Sequence, residues 1–295
     1  MYTNLVLTLL FGVLCVLQAS AAVTLPFSTT YNCVEQQQGD GTWVNCNGLE
    51  ASGDNALPFP CQITSAANYS GGAGGRGMRT WWGYQNPTPP PEKNYMCAAP
   101  NIVFSSPTGP GEAWIRWYQR FESGWAWTYA NETRSQKNMY FGTLGNTHSI
   151  WYEFTNGYTR IVVDNAVTVP QPPPLTNMFR THHGGGTDIS TGAWVCHEIH
   201  WKGGTTPSSA DGELHWWADG VNYISATTAS LGFSATGGLG YNNGSIPSNG
   251  SNYGGANFYQ DVDDMAISTT GRIGCLSGVK AKTSGGVKGS GGVRF

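Results

Sequence analysis

One segment with strict two-residue alternation carries the side chains best suited to acid–base chemistry. From Ala113 to Phe121, apolar residues such as Ile115 and Trp117 alternate with a polar set. That set consists of two guanidiniums with a phenol between them: Arg116, Tyr118 and Arg120. This alternation predicts a strand with one side in a core and the other on an accessible surface.

A second alternating segment, Trp194 to Lys202, adds a carboxylate and an imidazole, since its polar positions include Glu198 and His200. β-Elimination beside a uronate requires three groups: one that neutralises the carboxylate, a base that abstracts the C5 proton, and an acid that protonates the leaving oxygen. An arginine, His200 and Tyr118 supply these three functions. The predicted catalytic set is therefore Arg116, Tyr118, Arg120, Glu198 and His200.

A third alternating segment, Ser149 to Phe154, supplies side chains that suit contact with a sugar chain. Trp151 and Glu153 occupy its polar side. With Tyr140 and Lys202 they form the predicted substrate-binding set. Aromatic faces stack on sugar rings, and guanidiniums pair with carboxylates in bidentate geometry. If both sets share one sheet, they build one partly cationic groove for an acidic polysaccharide.

Other functions are compatible with the same residues. A lectin or carbohydrate-binding module would hold the glycan without cleaving it. A glycoside hydrolase would need two carboxyl groups across the glycosidic bond, for which Glu153 and Glu198 are the candidates. A structural envelope protein would use none of this chemistry, because arginine and tyrosine also alternate on ordinary solvated strands.

The elements that must position these residues are β-strands. Further alternating segments span 137–144, 158–164, 213–219 and 258–269, and turn signals such as Asn156-Gly157 separate them. No long stretch has helical periodicity. The sequence therefore predicts an all-β fold, a jelly-roll β-sandwich with long loops tied down by disulfides.

Three regions are predicted along the chain. Residues 1–22 form a signal peptide, because an uncharged apolar run from Leu5 to Leu17 precedes small residues suited to cleavage. Residues 23–277 form the carbohydrate-active β-jelly-roll domain, including a long Gly/Asn/Ser loop at 230–255. Residues 278–295 form a flexible tail or linker, since they contain few apolar groups to bury. We expect a secreted protein, extracellular or, in a Gram-negative host, periplasmic.

The cysteines agree with export. Six remain after removal of the signal peptide: Cys33, Cys46, Cys61, Cys97, Cys196 and Cys275. An even number in an exported chain predicts three disulfides, and the pairing stays open among the fifteen that six cysteines allow. No two of them lie within four residues of each other, which argues against a zinc knuckle.

Composition argues against several kinds of partner. The net charge is −3, with neither a basic stripe for nucleic acid nor a cationic amphipathic helix for a membrane. We expect a monomer that requires no cofactor and has no metal centre, with His148 and His215 as surface or packing residues. Asp261, Asp263 and Asp264 form either a charged strand end or a structural Ca²⁺ site.

Three parts of the chain resemble the concanavalin A-like jelly-roll superfamily, especially its secreted polysaccharide-lyase-like members. They are 114–125, 194–201 together with 211–220, and 263–274, so the resemblance covers 111–275. It implies a jelly-roll fold and activity on a polysaccharide. The segment Glu198-Ile199-His200 is similar to the Gln-Ile-His segment of family 7 alginate lyases, with His200 in the place of their catalytic histidine and Glu198 in that of their neutralising glutamine. The same segment keeps only the first carboxylate of the Glu-x-Asp-x-Glu motif of family 16 glycoside hydrolases.

Overall fold

The computed structural model describes a large part of the chain between residues 26 and 276. The described ranges are 26–29, 42–43, 50–52, 61–82, 98–104, 109–124, 128–129, 132–133, 135–143, 148–155, 158–165, 178–181, 191–236, 240–246, 250–251 and 258–276. The predicted signal peptide, the predicted tail, three of the six cysteines (Cys33, Cys46 and Cys97) and His182-His183 lie outside them.

Sheet 1 contains eight antiparallel strands. They are β1 (Phe27–Thr29), β4 (Cys61–Thr64), β5 (Gly77–Trp82), β7 (Glu112–Phe121), β14 (Trp194–Lys202), β15 (Gly212–Ala218), β16 (Val221–Ala229) and β19 (Phe258–Ser268). Their order is β16-β15-β14-β7-β19-β5-β4, and β1 also pairs with β19. The strands that carry the predicted catalytic residues, β7 and β14, are therefore neighbours.

Sheet 2 contains nine antiparallel strands. They are β2 (Thr42–Trp43), β3 (Glu50–Ser52), β6 (Ala98–Val103), β10 (Ser135–Gly142), β11 (His148–Thr155), β12 (Tyr158–Asn165), β13 (Met178–Thr181), β17 (Asn243–Ser245) and β18 (Gly250–Ser251). Their order is β13-β12-β11-β10-β17-β6-β3-β2, and β18 also pairs with β10. A separate ribbon joins β8 (Thr128–Tyr129) to β9 (Glu132–Thr133).

The hydrophobic core lies between the two sheets. Ile115 and Trp117 of sheet 1 and Phe141, Ile150 and Tyr152 of sheet 2 are fully buried there. Burial of a large apolar side chain contributes on the order of 2 kcal/mol, so slipping a strand by one residue would forfeit several such contributions. The alternation therefore sets the register, and the predicted jelly-roll β-sandwich is confirmed.

The region from 230 to 255 differs from its predicted loop. Two short strands within it, β17 and β18, pair with β10. Gly244 sits on β17 because a Cβ at this position would collide with the backbone oxygen of Tyr140. The glycine-rich composition that predicts a loop thus serves close backbone pairing here.

Two segments cross the outer face of sheet 1, the side that points away from the core. The first, which we name the cover loop, spans 65–76 and begins with a 3-10 helix, Ser65–Ala67, capped by Thr64. The second, named the C-terminal strap, spans 271–276. Within the described ranges, no helix is long and apolar enough to cross a bilayer.

Candidate functional site

The register of sheet 1 brings the predicted catalytic residues together on its outer face. Arg116 on β7 lies directly opposite Glu198 on β14. His200 lies two residues further along β14, and Tyr118 and Arg120 follow Arg116 at two-residue intervals on β7. Arg116 and His200 therefore lie on the same side of the sandwich, as alternation predicts.

Glu198 is buried beneath the C-terminal strap. Its carboxylate accepts hydrogen bonds from the backbone N–H of Ile273 at 2.7 Å and of Gly274 at 3.2 Å. It also pairs with Arg272 Nε at 3.1 Å, and only 1% of its side chain is exposed. Glu198 thus anchors the strap to sheet 1, although the sequence predicts an open surface at this position.

Arg116 connects the strap to β19. Its Nη2 donates to the carbonyl oxygen of Asp264 at 3.1 Å, and its Nη1 donates to that of Gly274 at 3.4 Å. One row further along the sheet, a disulfide joins Cys196 to Cys275 and ties the strap covalently to β14. This is the one predicted disulfide that the described residues include.

Tyr118 is fully buried between the strap and the cover loop. Its hydroxyl accepts a hydrogen bond from the backbone N–H of Leu276 at 2.6 Å, and its ring stacks on Tyr69 at 4.0 Å. Burial raises the pKa of Tyr118, partly offset by the hydrogen bond from Leu276. A phenol held in this way does not reach the leaving oxygen of a bound glycan, so the predicted role as a general acid conflicts with its position.

Arg120 is neutralised within the chain. Its guanidinium pairs with Asp261 at 2.5 Å, and Arg79 pairs with the other oxygen of the same carboxylate at 2.7 Å. Arg120 also donates to the carbonyl oxygen of Ala66 in the cover loop at 2.6 Å. Asp261 is fully buried, so these contacts form a closed charge network in place of a free cation for a uronate.

The neighbouring aspartates hold the cover loop on β19. Asp263 accepts the backbone N–H of Tyr69 and that of Asp264, each at 2.7 Å. Asp264 has a positive φ of 46° within a β-bulge, and a Cβ on Gly72 would collide with its carboxylate. Burial raises the pKa of Asp263 to about 7. Asp261 is already engaged by two arginines. The structural Ca²⁺ site stays a prediction.

The stability of the protein should depend on pH through Asp263. The pKa of its carboxyl is about 7 in the folded state and 3.8 in the unfolded chain. Because the folded state binds the proton more tightly, the free energy of unfolding falls as pH rises through this range. We compare the free energy of unfolding of the wild type with that of the Asp263→Asn variant, which cannot titrate at this position. The difference, wild type minus variant, should fall by about 2 kcal/mol between about pH 5 and pH 7. Urea unfolding across this range measures it, and a difference that is flat or rises with pH contradicts it.

The end of the outer face of sheet 1 farthest from the disulfide is only partly covered: Glu112, Lys202 and Glu213 are about one third exposed, whereas His200 is buried. His200 Nε2 lies 3.0 Å from Glu112 Oε1, and Lys202 Nζ lies 2.9 Å from Glu213 Oε1. His215 Nε2 lies 3.5 Å from Glu213 Oε2. Hydrogen bonding raises the pKa of Lys202 and lowers that of Glu213.

Aromatic rings pack in one row around these polar groups. Trp114 stacks on His200 with ring centroids 4.2 Å apart, and His200 stacks on His215 at 5.4 Å. Trp217 continues the row, 5.5 Å from His215. Burial lowers the pKa of His200, which Glu112 partly offsets. Stacking between Trp114 and His215 fixes the plane of the His200 imidazole.

The outer face of sheet 2 carries the predicted sugar-stacking residues. Tyr140 lies opposite Trp151, which in turn lies opposite Val162 on β12. Each of the three is flanked in its strand by fully buried or nearly buried core residues, so this row faces away from the core. Tyr140 and Trp151 are both partly exposed.

A charged row follows on the same four strands. The register aligns Lys137 with Glu153, Glu153 with Arg160, and Arg160 with Arg180. Three cationic residues and one acidic residue thus occupy consecutive strands from β10 to β13. This row adjoins the row of Tyr140 and Trp151.

The single predicted groove is therefore wrong. Tyr140, Trp151 and Glu153 belong to sheet 2, whereas Lys202 and the predicted catalytic set belong to sheet 1. The core separates the two sheets, because each sheet buries one face against the other. The predicted hydrolase pair, Glu153 and Glu198, is divided between the sheets in the same way.

The fold of this chain is similar to that of a solved alginate lyase. No family model and no curated protein matches the sequence. Among solved structures, the alginate lyase vAL-1 from Chlorella virus matches with a TM-score of 0.50 and 11% identity, over 71% of this chain and 88% of that chain. The endo-β-1,4-glucuronan lyase of the fungus Trichoderma reesei gives 0.46 and 11%, over 72% and 89%. The alginate lyase Aly36B in complex with an alginate trisaccharide gives 0.47 and 14%, over 67% and 83%. The likeness to vAL-1 supports the all-β sandwich fold.

Several residues of interest were not part of the sequence prediction. Arg160 follows from the alternation of Tyr158 to Asp164, where it occupies the side opposite the core residues Ile161 and Val163. Arg180 lies on a strand of four residues, too short to give a pattern. The sequence predicts a surface or packing role for His215, because only the pairing of β14 with β15 places it beside His200.

Proposed function

We propose that this chain is a secreted carbohydrate-active protein that binds an acidic polysaccharide across the outer face of sheet 2 and cleaves it by β-elimination. The register row of Lys137, Glu153, Arg160 and Arg180 beside Trp151 carries this proposal. The Cys196–Cys275 disulfide fits an oxidising compartment outside the cell.

Charge favours sheet 2 over sheet 1 as the polymer surface. On sheet 1 the nearest cations already have partners in the chain, since Arg120 pairs with Asp261 and Arg272 pairs with Glu198. On sheet 2 the row contains three cations for one carboxylate, an excess that suits a polyuronate. Neighbouring strands are about 4.8 Å apart, so the row runs for about 14 Å across the sheet.

The elimination requires groups that the same face offers. Arg160 and Arg180 would neutralise the uronate carboxylate and acidify the C5 proton. A base removes that proton, the C4–O4 bond breaks as the C4–C5 double bond forms, and an acid protonates O4. Lys137 and Tyr140 are the amine and phenol on this face suited to the two proton transfers.

A non-catalytic lectin is the second candidate. The observation in its favour is that Arg116, Tyr118 and Glu198 of the predicted catalytic set are sealed beneath the C-terminal strap. Without those groups, the chain would retain the aromatic and cationic surface of sheet 2 for binding alone.

One screen of the purified full chain distinguishes these functions. Alginate, glucuronan, pectin and a neutral glucan are each incubated with the protein. A lyase produces unsaturated uronate ends that absorb in the ultraviolet, a hydrolase produces reducing ends without this absorbance, and a lectin binds without any product. We expect absorbance with at least one polyuronate and none with the neutral glucan.

Substitutions on the two faces locate the site. Trp151→Ala should weaken polyuronate binding by about 30-fold, because removal of a stacking aromatic at the centre of a binding surface costs about 2 kcal/mol. Trp217→Ala, a partly buried tryptophan on sheet 1, is the matched control and should bind as the wild type does. Titration calorimetry measures both. Equal loss in the two variants, or loss only in Trp217→Ala, would contradict the assignment to sheet 2.

A further inference from the structure

Three side chains at the end of sheet 1 farthest from the disulfide converge closely enough to hold one metal ion. The ligand atoms of His200, Glu213 and His215 all lie within 4.8 Å of one another. This convergence follows from the register, because His200 lies directly opposite His215 on the neighbouring strand. Glu213 precedes His215 by two residues and so shares its face.

The distances approach those of a transition-metal site. The ligand atoms of a tetrahedral Zn²⁺ ion lie about 3.3 Å apart when each bond is about 2.0–2.1 Å long. His215 Nε2 and Glu213 Oε2 are 3.5 Å apart, so this pair already has the required separation. Since no two ligand atoms of the set are more than 4.8 Å apart, the remaining separations need to shorten by about 1.5 Å at most. Glu112 lies beside His200, at 3.0 Å from its Nε2.

Neighbouring rings hold the two imidazoles in place. Trp114 and Trp217 flank the two imidazoles and limit their rotation. Imidazoles held on adjacent strands lose little conformational entropy when they bind an ion.

We propose that His200, Glu213 and His215 bind one divalent transition-metal ion, with Zn²⁺ the best match. Two imidazoles with a carboxylate favour Zn²⁺ and its neighbours in the first transition row over Ca²⁺ and Mg²⁺, which prefer oxygen ligands alone. The site lies on sheet 1, on the opposite side of the sandwich from the proposed polysaccharide surface, so the two proposals can fail separately.

The charge of Lys202 provides a further test, because its removal should increase the affinity for Zn²⁺. Its ammonium lies 2.9 Å from Glu213 Oε1 and competes with a cation for that carboxylate. The side chain is 39% exposed and free to swing toward solvent when an ion binds. Lys202→Gln should therefore tighten Zn²⁺ binding, by about fivefold for a screened repulsion of about 1 kcal/mol.

The experiment is competition for Zn²⁺ between the chelator-treated full chain and a chromogenic chelator. The wild type should bind one equivalent, and His215→Gln should weaken binding by at least about 100-fold. Cobalt substitution should give a visible d–d absorption in the wild type only. Circular dichroism confirms that His215→Gln is folded, and Glu213→Gln provides a second ligand variant.

The double variant His182→Gln, His183→Gln is the matched control, since it removes two histidines that do not belong to the proposed ligand set. It should bind Zn²⁺ as the wild type does. Absence of saturable binding would overturn the proposal. Loss of binding in the control but not in His215→Gln, or weaker binding in Lys202→Gln, would overturn it as well.

Discussion

Removal of the Cys196–Cys275 disulfide should lower the free energy of unfolding by about 4 kcal/mol. The bridge joins residues 79 positions apart, and closing a loop of that length restricts the unfolded chain by about this amount. The double variant Cys196→Ser, Cys275→Ser tests this in urea unfolding followed by tryptophan fluorescence. A loss below about 1 kcal/mol would contradict it.

The loss should be accompanied by release of the C-terminal strap. The backbone N–H groups of Ile273, Gly274 and Leu276 donate to Glu198 and Tyr118, so hydrogen exchange at these three amides reports whether the strap stays in place. Glu198→Gln keeps the disulfide and removes the charge, and it serves as the comparison. Its exchange should rise less than that of the double cysteine variant, because the covalent tie keeps the strap near its acceptors.

Substitution of Asp261 by asparagine should destabilise the protein by about 3 kcal/mol. Asp261 is fully buried and accepts from both Arg79 and Arg120, so Asp261→Asn leaves two guanidiniums without their counter-charge. Breaking a buried ion pair from one side costs about 3–5 kcal/mol, and the partial exposure of both arginines favours the lower end.

Glu213→Gln is the matched control for this loss. It removes a carboxylate from an ion pair with Lys202 in which both side chains are about one third exposed. An exposed pair contributes about 0–1 kcal/mol, so this variant should unfold near the wild-type urea concentration when the buffer contains a chelator. Equal losses in the two variants would mean that burial does not govern the strength of the Asp261 network.

The fold was predictable because its strongest signal is local. Ile115, Trp117, Ile199 and Trp201 alternate with polar residues, and all four are fully buried. Strand β16 gives no such signal, because at the edge of sheet 1 its only fully buried or nearly buried residues are Ile224 and Ala229. Edge strands with one weakly packed side lack the period that identifies central strands.

The candidate site was only partly predictable, since its composition depends on pairing between distant strands. Alternation correctly places Arg116, Glu198 and His200 on one face. It does not say to which sheet Trp151 belongs, and it does not reveal that residues 271–276 cover the face. A strap of six residues without apolar periodicity carries no signal for its own position, apart from Cys275.

The C-terminal strap also has a consequence for the order in which the chain matures. Polypeptides emerge from the ribosome with the N-terminal part first, so Arg116, Tyr118 and Glu198 are synthesised well before the strap residues that contact them. Until Cys275 is synthesised, Cys196 cannot form this disulfide. This face of sheet 1 is therefore among the late surfaces of the described residues to acquire native contacts.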